Sequence, residues 1–153
     1  MTVIQQEWMS NALFSGLPPD CVERLSHTTR NESFESRELI FREGEPADGF
    51  HLIQKGSVAL EIFVEGRGAV MIETLGPGEV LGWSWLVEPY RWHFDAKALT
   101  ATQTIVFGGR VVREVFESHR DCGYLMLKRF LPIIVQRLQA TRLQFLDVYH
   151  ARA

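Results

Sequence analysis

Apolar positions change their period twice along this chain. Trp8, Ala12 and Leu13 recur at helical spacing, and Gly16 closes that first short helix. Pro18-Pro19-Asp20 opens a second helix with Val22 and Leu25 on one face, proline being well tolerated in a first turn. From Glu32 the period becomes two. Phe34 and Leu39-Ile40-Phe41 lead into a Gly44-Glu45 turn, and Phe50-His51-Leu52-Ile53 runs to Gly56. Val58 to Val64, a Glu65-Gly66-Arg67-Gly68 hairpin loop and Ala69 to Ile72 follow, with two further strands over His93–Leu99 and Thr102–Phe107. Short strands punctuated by glycine predict a sandwich or barrel, not βαβ units.

After Gly109 the pattern is helical to the end. Val111, Val112, Val115 and Phe116 mark a short helix, and a long one spans about Cys122 to Tyr149. In it Leu127, Leu131, Ile134, Leu138, Thr141, Phe145 and Val148 alternate spacings of four and three, a heptad seam. Such a stripe can pack on the chain's own β-core. Its narrowness and length favour a parallel homodimer through residues 122–149. Pro132 falls inside the seam and is expected to kink or divide the helix. The organisation predicted is a single domain over 1–153, with N-terminal helices at 1–30, β-strands at 31–108 and C-terminal helices at 109–153.

The length of 153 residues suits one domain with a substantial core. With 16 basic against 19 acidic side chains the net charge is −3, which leaves no electrostatic footprint for nucleic acid. Direct DNA binding is therefore not expected. Cys21 and Cys122 make no disulfide framework and no CxxC pair, so free thiols and a cytoplasmic home are expected. Gln5, Gln6 and Glu7 stand where a signal peptide needs apolar residues, and no run reaches the length of a membrane helix.

The segment Phe41-Arg42-Glu43-Gly44-Glu45-Pro46-Ala47-Asp48-Gly49-Phe50-His51-Leu52-Ile53-Gln54-Lys55-Gly56-Ser57-Val58 resembles the cyclic nucleotide-binding domain. It is most similar to the sensor half of the Crp/Fnr regulators, the catabolite activator family. The resemblance continues at Leu75-Gly76-Pro77-Gly78-Glu79-Val80-Leu81-Gly82, the approach to that family's phosphate-binding cassette. It extends to Arg137-Leu138-Gln139-Ala140-Thr141 and Phe145-Leu146-Asp147-Val148. It implies a mainly β fold, a β-roll of the jelly-roll kind with short N-terminal helices, a short helix over the pocket and a long dimerising C-terminal helix. In the family a helix-turn-helix domain follows that long helix, and this chain is read as carrying none.

A cyclic nucleotide site needs a carboxylate for the ribose 2′-hydroxyl, an arginine for the cyclic phosphate and backbone N–H groups to cradle its oxygens. In the family the carboxylate follows the cassette glycine directly; here that position is Trp83. Aligning the next strand through Ala96-Lys97-Ala98 puts Trp92 at the arginine position and His93 at the small hydroxyl position, with Arg91 one residue early. Tight cyclic nucleotide binding in the family's mode is therefore not expected. Instead Trp83, Trp85, Tyr90, Trp92, His93 and Phe94 crowd one short loop. These aromatics either fill a collapsed pocket or line a remodelled one that stacks a flat small molecule, with Arg91 or His93 as its polar handle. The candidate ligand-binding residues are Gly82, Trp83, Ser84, Trp85, Arg91, Trp92 and His93.

Catalysis is not expected. A cupin-like metal enzyme needs an HxH pair with a glutamate and a later histidine, and His27, His51, His93, His119 and His150 do not supply that spacing. Haem could take His93, His51 or Met71 as axial ligands, but nothing in the residues requires it, and no cofactor is assigned. The expectation is a non-catalytic small-molecule sensor in which pocket occupancy moves the Gly82–Phe94 loop and repacks the Arg110–Glu117 helix and the dimer seam. A functional cAMP or cGMP receptor is the alternative.

Overall fold

The computed structural model describes residues 8–152, with side chains described through Asp147. Gln5, Gln6 and Glu7, the end of the seam at Val148, and Tyr149 fall outside the described side chains. A 3-10 turn at Ala12–Phe14 and helix α1 (Pro19–Ser26) precede eight strands. These are β1 (Thr29–Phe34), β2 (Leu39–Phe41), β3 (Gly49–Lys55), β4 (Val58–Val64), β5 (Gly68–Leu75), β6 (Val80–Leu81), β7 (Asp95–Ala98) and β8 (Thr102–Gly108). Helices α2 (Gly109–Ser118) and α3 (Arg120–Arg152) complete the order.

The strands form two antiparallel sheets of four, ordered β1-β8-β3-β6 and β2-β7-β4-β5. This is the β-roll expected from the sequence. Strand β3 is the wall between the roll interior and the helices, and it is buried from Gly49 through Ile53. Its successive side chains point to opposite faces. Phe50 stacks on Phe107 of β8 at 4.7 Å and meets Phe130 of α3 edge-on at 5.3 Å. His51 turns the other way, towards the rings of Phe34 and Phe41. A strand covered on both faces reads as a continuous apolar run.

Close approach dictates glycine at Gly56. Its φ is +99°, and a Cβ there would lie 2.5 Å from Thr102 Oγ1. Only glycine adopts this conformation without strain and leaves room for the neighbouring strand.

Helix α3 has two different apolar faces. Cys122, Met126 and Phe130 are fully buried, and Arg137 continues that stripe about two turns later. The heptad residues Leu127, Leu131, Leu138 and Phe145 are exposed by 40%, 58%, 60% and 54%. Ile134 and Thr141 are half-buried, but most of the seam stands outside the chain's own core, which uses another stripe.

Four expectations need correction. Pro132 does not divide the helix: α3 runs unbroken from Arg120 to Arg152, with Pro132 on its exposed side and Phe130 and Arg137 anchored on either side of it. The strand expected from His93 begins at Asp95, because Trp92 turns inward and bonds its backbone to the β2–β3 turn. The first helix is largely a 3-10 turn, Ala12–Phe14, capped by the Asn11 side chain accepting from Leu13 N–H. The cysteines are not free thiols. Cys21 and Cys122 form a disulfide across a Cα separation of 6.4 Å, within the span such a bridge needs.

Candidate functional site

The aromatic loop folds as two layers. The 3-10 turn Ser84–Leu86 follows β6, and the chain then returns through Tyr90–Phe94 into β7. Backbone bonds fasten the return to the β2–β3 turn: Gly44 N–H donates to Trp92 O, Trp92 N–H to Glu45 O, and Ala47 N–H to Tyr90 O. Three bonds between two loops hold the intervening side chains in one register.

In the inner layer the Trp92 indole lies parallel to Phe41, with ring centres 3.7 Å apart and an interplanar angle of 7°. Its opposite edge meets Gly82, where a Cβ would stand 2.5 Å from the indole carbon Cζ3. Gly82 has φ +98°, so backbone conformation and space both demand glycine there. Trp92 is 4% exposed. The cavity that remains, bordered by Phe41, Leu60, Gly82, Trp92, Phe94 and Arg137 with the outer residues, is about 10 Å³. That is room for at most one water molecule.

The outer layer is Trp83 stacked on His93 at 5.0 Å, with His93 Nδ1 hydrogen-bonded to the buried Ser84 hydroxyl at 2.9 Å. Gly82, Trp83, Ser84, Trp92 and His93 are thus brought together. The other two candidates are not. Trp85 faces the helices: it is fully buried against Phe50, Phe116 and Phe130 and donates its Nε1–H to Gly82 O. Arg91 points outward and donates to Gly44 O at 2.8 Å.

Three residues around the cavity had not been expected there. Phe41 and Leu60 read as ordinary strand residues, and no local signal separates them from the rest of the core. Arg137 had a signal, namely a charge on the buried stripe of α3 that contains Met126 and Phe130. Its guanidinium pairs with Glu73 of β5 and donates to Val80 O at 3.1 Å. Glu73 also accepts from Gln136 at 3.0 Å. A buried charge costs several kcal/mol unless paired, so this pair locks α3 in register against β5 and β6 beside the cavity.

A second tie runs from the loop to α2. Arg113 lies over the Tyr90 ring at 4.0 Å and donates to Trp85 O at 2.6 Å. Tyr90 itself takes φ +55°, a strained conformation for a tyrosine. Trp85 and Tyr90, from the outgoing and returning halves of the aromatic loop, therefore converge on one guanidinium.

Behind Phe41, His51 shares a hydrogen bond at 3.0 Å with Thr104 Oγ1. Burial holds its pKa down at about 4, with Asp48 raising it and Arg30 lowering it by smaller amounts. It is neutral at neutral pH. Among the described residues no group of three or more His, Cys, Asp or Glu side chains could hold a metal ion. The haem candidates are dispersed: His51 bonds Thr104, His93 bonds Ser84, and Met71 accepts from Thr74 on β5. No helix among the described residues is long and apolar enough to cross a membrane.

Comparison with known proteins agrees with this architecture. The family model for the cyclic nucleotide-binding domain matches residues 31–119, from β1 through α2. A candidate cyclic nucleotide-binding protein from Geobacter metallireducens has the same fold, with a TM-score of 0.77 and 23% identity over 90% of this chain and 99% of its own. The sensor domain of the transcriptional regulator DNR from Pseudomonas aeruginosa matches with a TM-score of 0.75 and 19% identity, covering 90% and 92% of the two chains. The catabolite activator protein of Thermus thermophilus gives 0.68 and 22%, over 90% and 62%. In sequence, a candidate potassium channel protein of Rhodopseudomonas palustris is 28% identical over 101 residues, 66% of this chain. The chain spans only about a quarter (24%) of that relative. The two antiparallel sheets, the long C-terminal helix and the match over residues 31–119 place the chain in the cyclic nucleotide-binding domain family, with the roll of the Crp/Fnr sensors.

Proposed function

We propose that the chain is a non-catalytic regulatory module whose cyclic nucleotide cassette is altered and whose slot is held by its own side chain, Trp92. The observation that carries this reading is the stack of Trp92 on Phe41 at 3.7 Å over Gly82, which leaves about 10 Å³. A planar ring of the protein occupies the slot where the family resemblance would put a ligand. The carboxylate expected after the cassette glycine is Trp83, and the arginine position is Trp92 itself. A small molecule enters this slot only by displacing the indole, so the ligand class is flat and aromatic, with His93 or Ser84 as polar handle. Candidate contacts are Gly82, Trp83, Ser84, Trp92 and His93; Trp85 and Arg91 act from outside the slot.

Displacement of Trp92 pulls on the three backbone bonds to the β2–β3 turn and, through Tyr90, on Arg113 of α2. The response then reaches α3, whose exposed stripe of Leu127, Leu131, Leu138 and Phe145 pairs with a second copy of the chain. A row of large apolar side chains at heptad spacing is what a coiled-coil partner covers.

Thermal unfolding with saturating cAMP, and separately cGMP, tests the slot assignment. We expect the melting temperature to stay unchanged. A ligand present at 100 times its Kd adds about 2.7 kcal/mol, or roughly 5–10 °C in a chain of this size. A rise of that size with either nucleotide would overturn the reading and make the protein a cyclic nucleotide receptor. Sedimentation of the wild type and of Leu131→Glu tests the second copy: a dimer that the substitution converts to a monomer is expected, and a wild-type monomer removes the seam from the mechanism.

A further inference from the structure

We propose that Cys21 and Cys122 form a redox-active pair that exchanges with dithiols, and so fastens and releases the N-terminal helix from the start of α3. Both residues are the third of their helix, Cys21 in α1 and Cys122 in α3. The sulfur–sulfur bond thus joins two helix N-termini. First-turn N–H groups have no intrahelical partner, and the positive ends of both helices stabilise a sulfur that leaves as thiolate. In α1 no side-chain cap competes for those groups.

The nearby charges are mixed, since Asp20 and Asp121 each precede one of the cysteines. Asp20, beside Cys21, is drawn to His119 Nδ1 at 3.2 Å, and Arg120 stands at the start of α3. A surface depression bordered by Pro18, Asp20, Ser118, His119 and Arg120 runs down to Cys122. Both cysteines have no exposed surface of their own, so an incoming thiolate reaches Cys122 from this depression only when the start of α3 moves aside.

The step balances as dithiol–disulfide exchange. The reductant's thiolate attacks Cys122 Sγ, the Sγ–Sγ bond breaks, and its electron pair leaves on Cys21. The reductant's second sulfur then attacks the mixed disulfide, frees Cys122 and closes its own disulfide. Two electrons pass to the protein, and the two protons given up by the dithiol end on the two cysteines. The bond closes a loop with a sequence separation of 101 residues, so its loss is felt in the whole fold.

The test is intact-mass spectrometry of the native wild-type chain, with thiols trapped by alkylation after incubation in buffers of graded dithiothreitol or glutathione disulfide. Expected is one reversible two-electron transition: two hydrogens missing and no label at the oxidising end, two labels at the reducing end. The reduced form should melt roughly 10 °C lower. Cys21→Ser should melt like the reduced wild type and ignore reductant. Two labels on native protein held in glutathione disulfide would show that no bond forms, and would overturn the proposal. A disulfide that resists dithiothreitol until urea is added would overturn it as well, leaving an inert cross-link. The wild-type titration decides between these even if the serine variant fails to fold.

Discussion

Two aromatic clusters of this molecule look alike in composition and do opposite work. One is the seam between roll and helices, where Trp85, Phe50, Phe107 and Phe130 meet with ring centres 4.7–5.5 Å apart. The other is the slot, where Trp92 and Phe41 lie flat on each other and Trp83 covers His93. In the seam each ring comes from a different element: Phe50 lies parallel on Phe107, Phe130 meets Phe50 edge-on and Trp85 meets it at a tilt, so the contacts fill space in three directions. In the slot the rings are parallel, one comes from a loop, and the opposite wall is a glycine. The seam is glue. The slot is a flat gap filled by a planar ring of the chain itself. What separates them is not which residues are present but how many elements grip each ring.

The comparison breaks first at its two tryptophans. Trp85→Ala should cost about 3–5 kcal/mol in urea unfolding, because a fully buried ring lost between three elements leaves a void that cannot collapse. Trp92→Ala should lie at the low end of that range. It should also regain stability when millimolar indole is added, because the parallel slot between Phe41 and Gly82 then takes a free planar ring, as engineered apolar cavities take benzene. Indole should not rescue Trp85→Ala. Equal rescue of both variants would mean the slot is only another part of the core.

The pH dependence of unfolding sharpens the contrast from beneath the slot. His51 touches Phe41, and burial holds its pKa at about 4 against 6.5 when unfolded. The folded state therefore binds fewer protons than the unfolded one between these values. Stability from this group is full above pH 6.5, declines as the pH falls through the window, and is lost by about pH 4. The decline integrates to about 3 kcal/mol. Urea midpoints measured from pH 7.5 to 4 should show it, and His51→Gln should flatten most of the slope. An unchanged slope in that variant would assign the acid sensitivity to other groups.

What could be read from the sequence divides along the same lines. The roll was legible because its signals are local, short strand-length apolar runs such as Phe50–Ile53 and glycines at turns such as Gly44 and Gly56. The crowding of aromatics at 83–94 was legible as well. Their separation into Trp92 inside, His93 outside and Trp85 towards the helices was not. It is decided by tertiary bonds from Trp92 to Glu45 and from Trp85 to Gly82, and these override the strand propensity of Trp92-His93-Phe94. The disulfide was illegible for a similar reason. The pairing of Cys21 with Cys122 depends on where two helices begin in space, and a sequence separation of 101 residues says nothing of that. Arg137 was hidden by habit, since a charge in a long helix reads as solvated. Only its spacing from Met126 and Phe130 puts it on the buried stripe.

The smallest expected effect is the most specific to the slot. Gly82→Ala meets two obstacles, a backbone at φ +98° and an indole carbon 2.5 Å from the new methyl group. The first costs about 1–2 kcal/mol wherever a side chain is forced into the left-handed region. The second exists only while Trp92 is in place. In a double-mutant cycle Gly82→Ala should therefore cost less in the Trp92→Ala background than in the wild type, with a coupling of about 1 kcal/mol. Additive costs would mean that the indole moves aside without loss, so that Gly82 serves the turn alone. A measurable coupling makes Gly82 a wall of the slot, and the glycine and the tryptophan become two halves of one device that keeps the slot occupied.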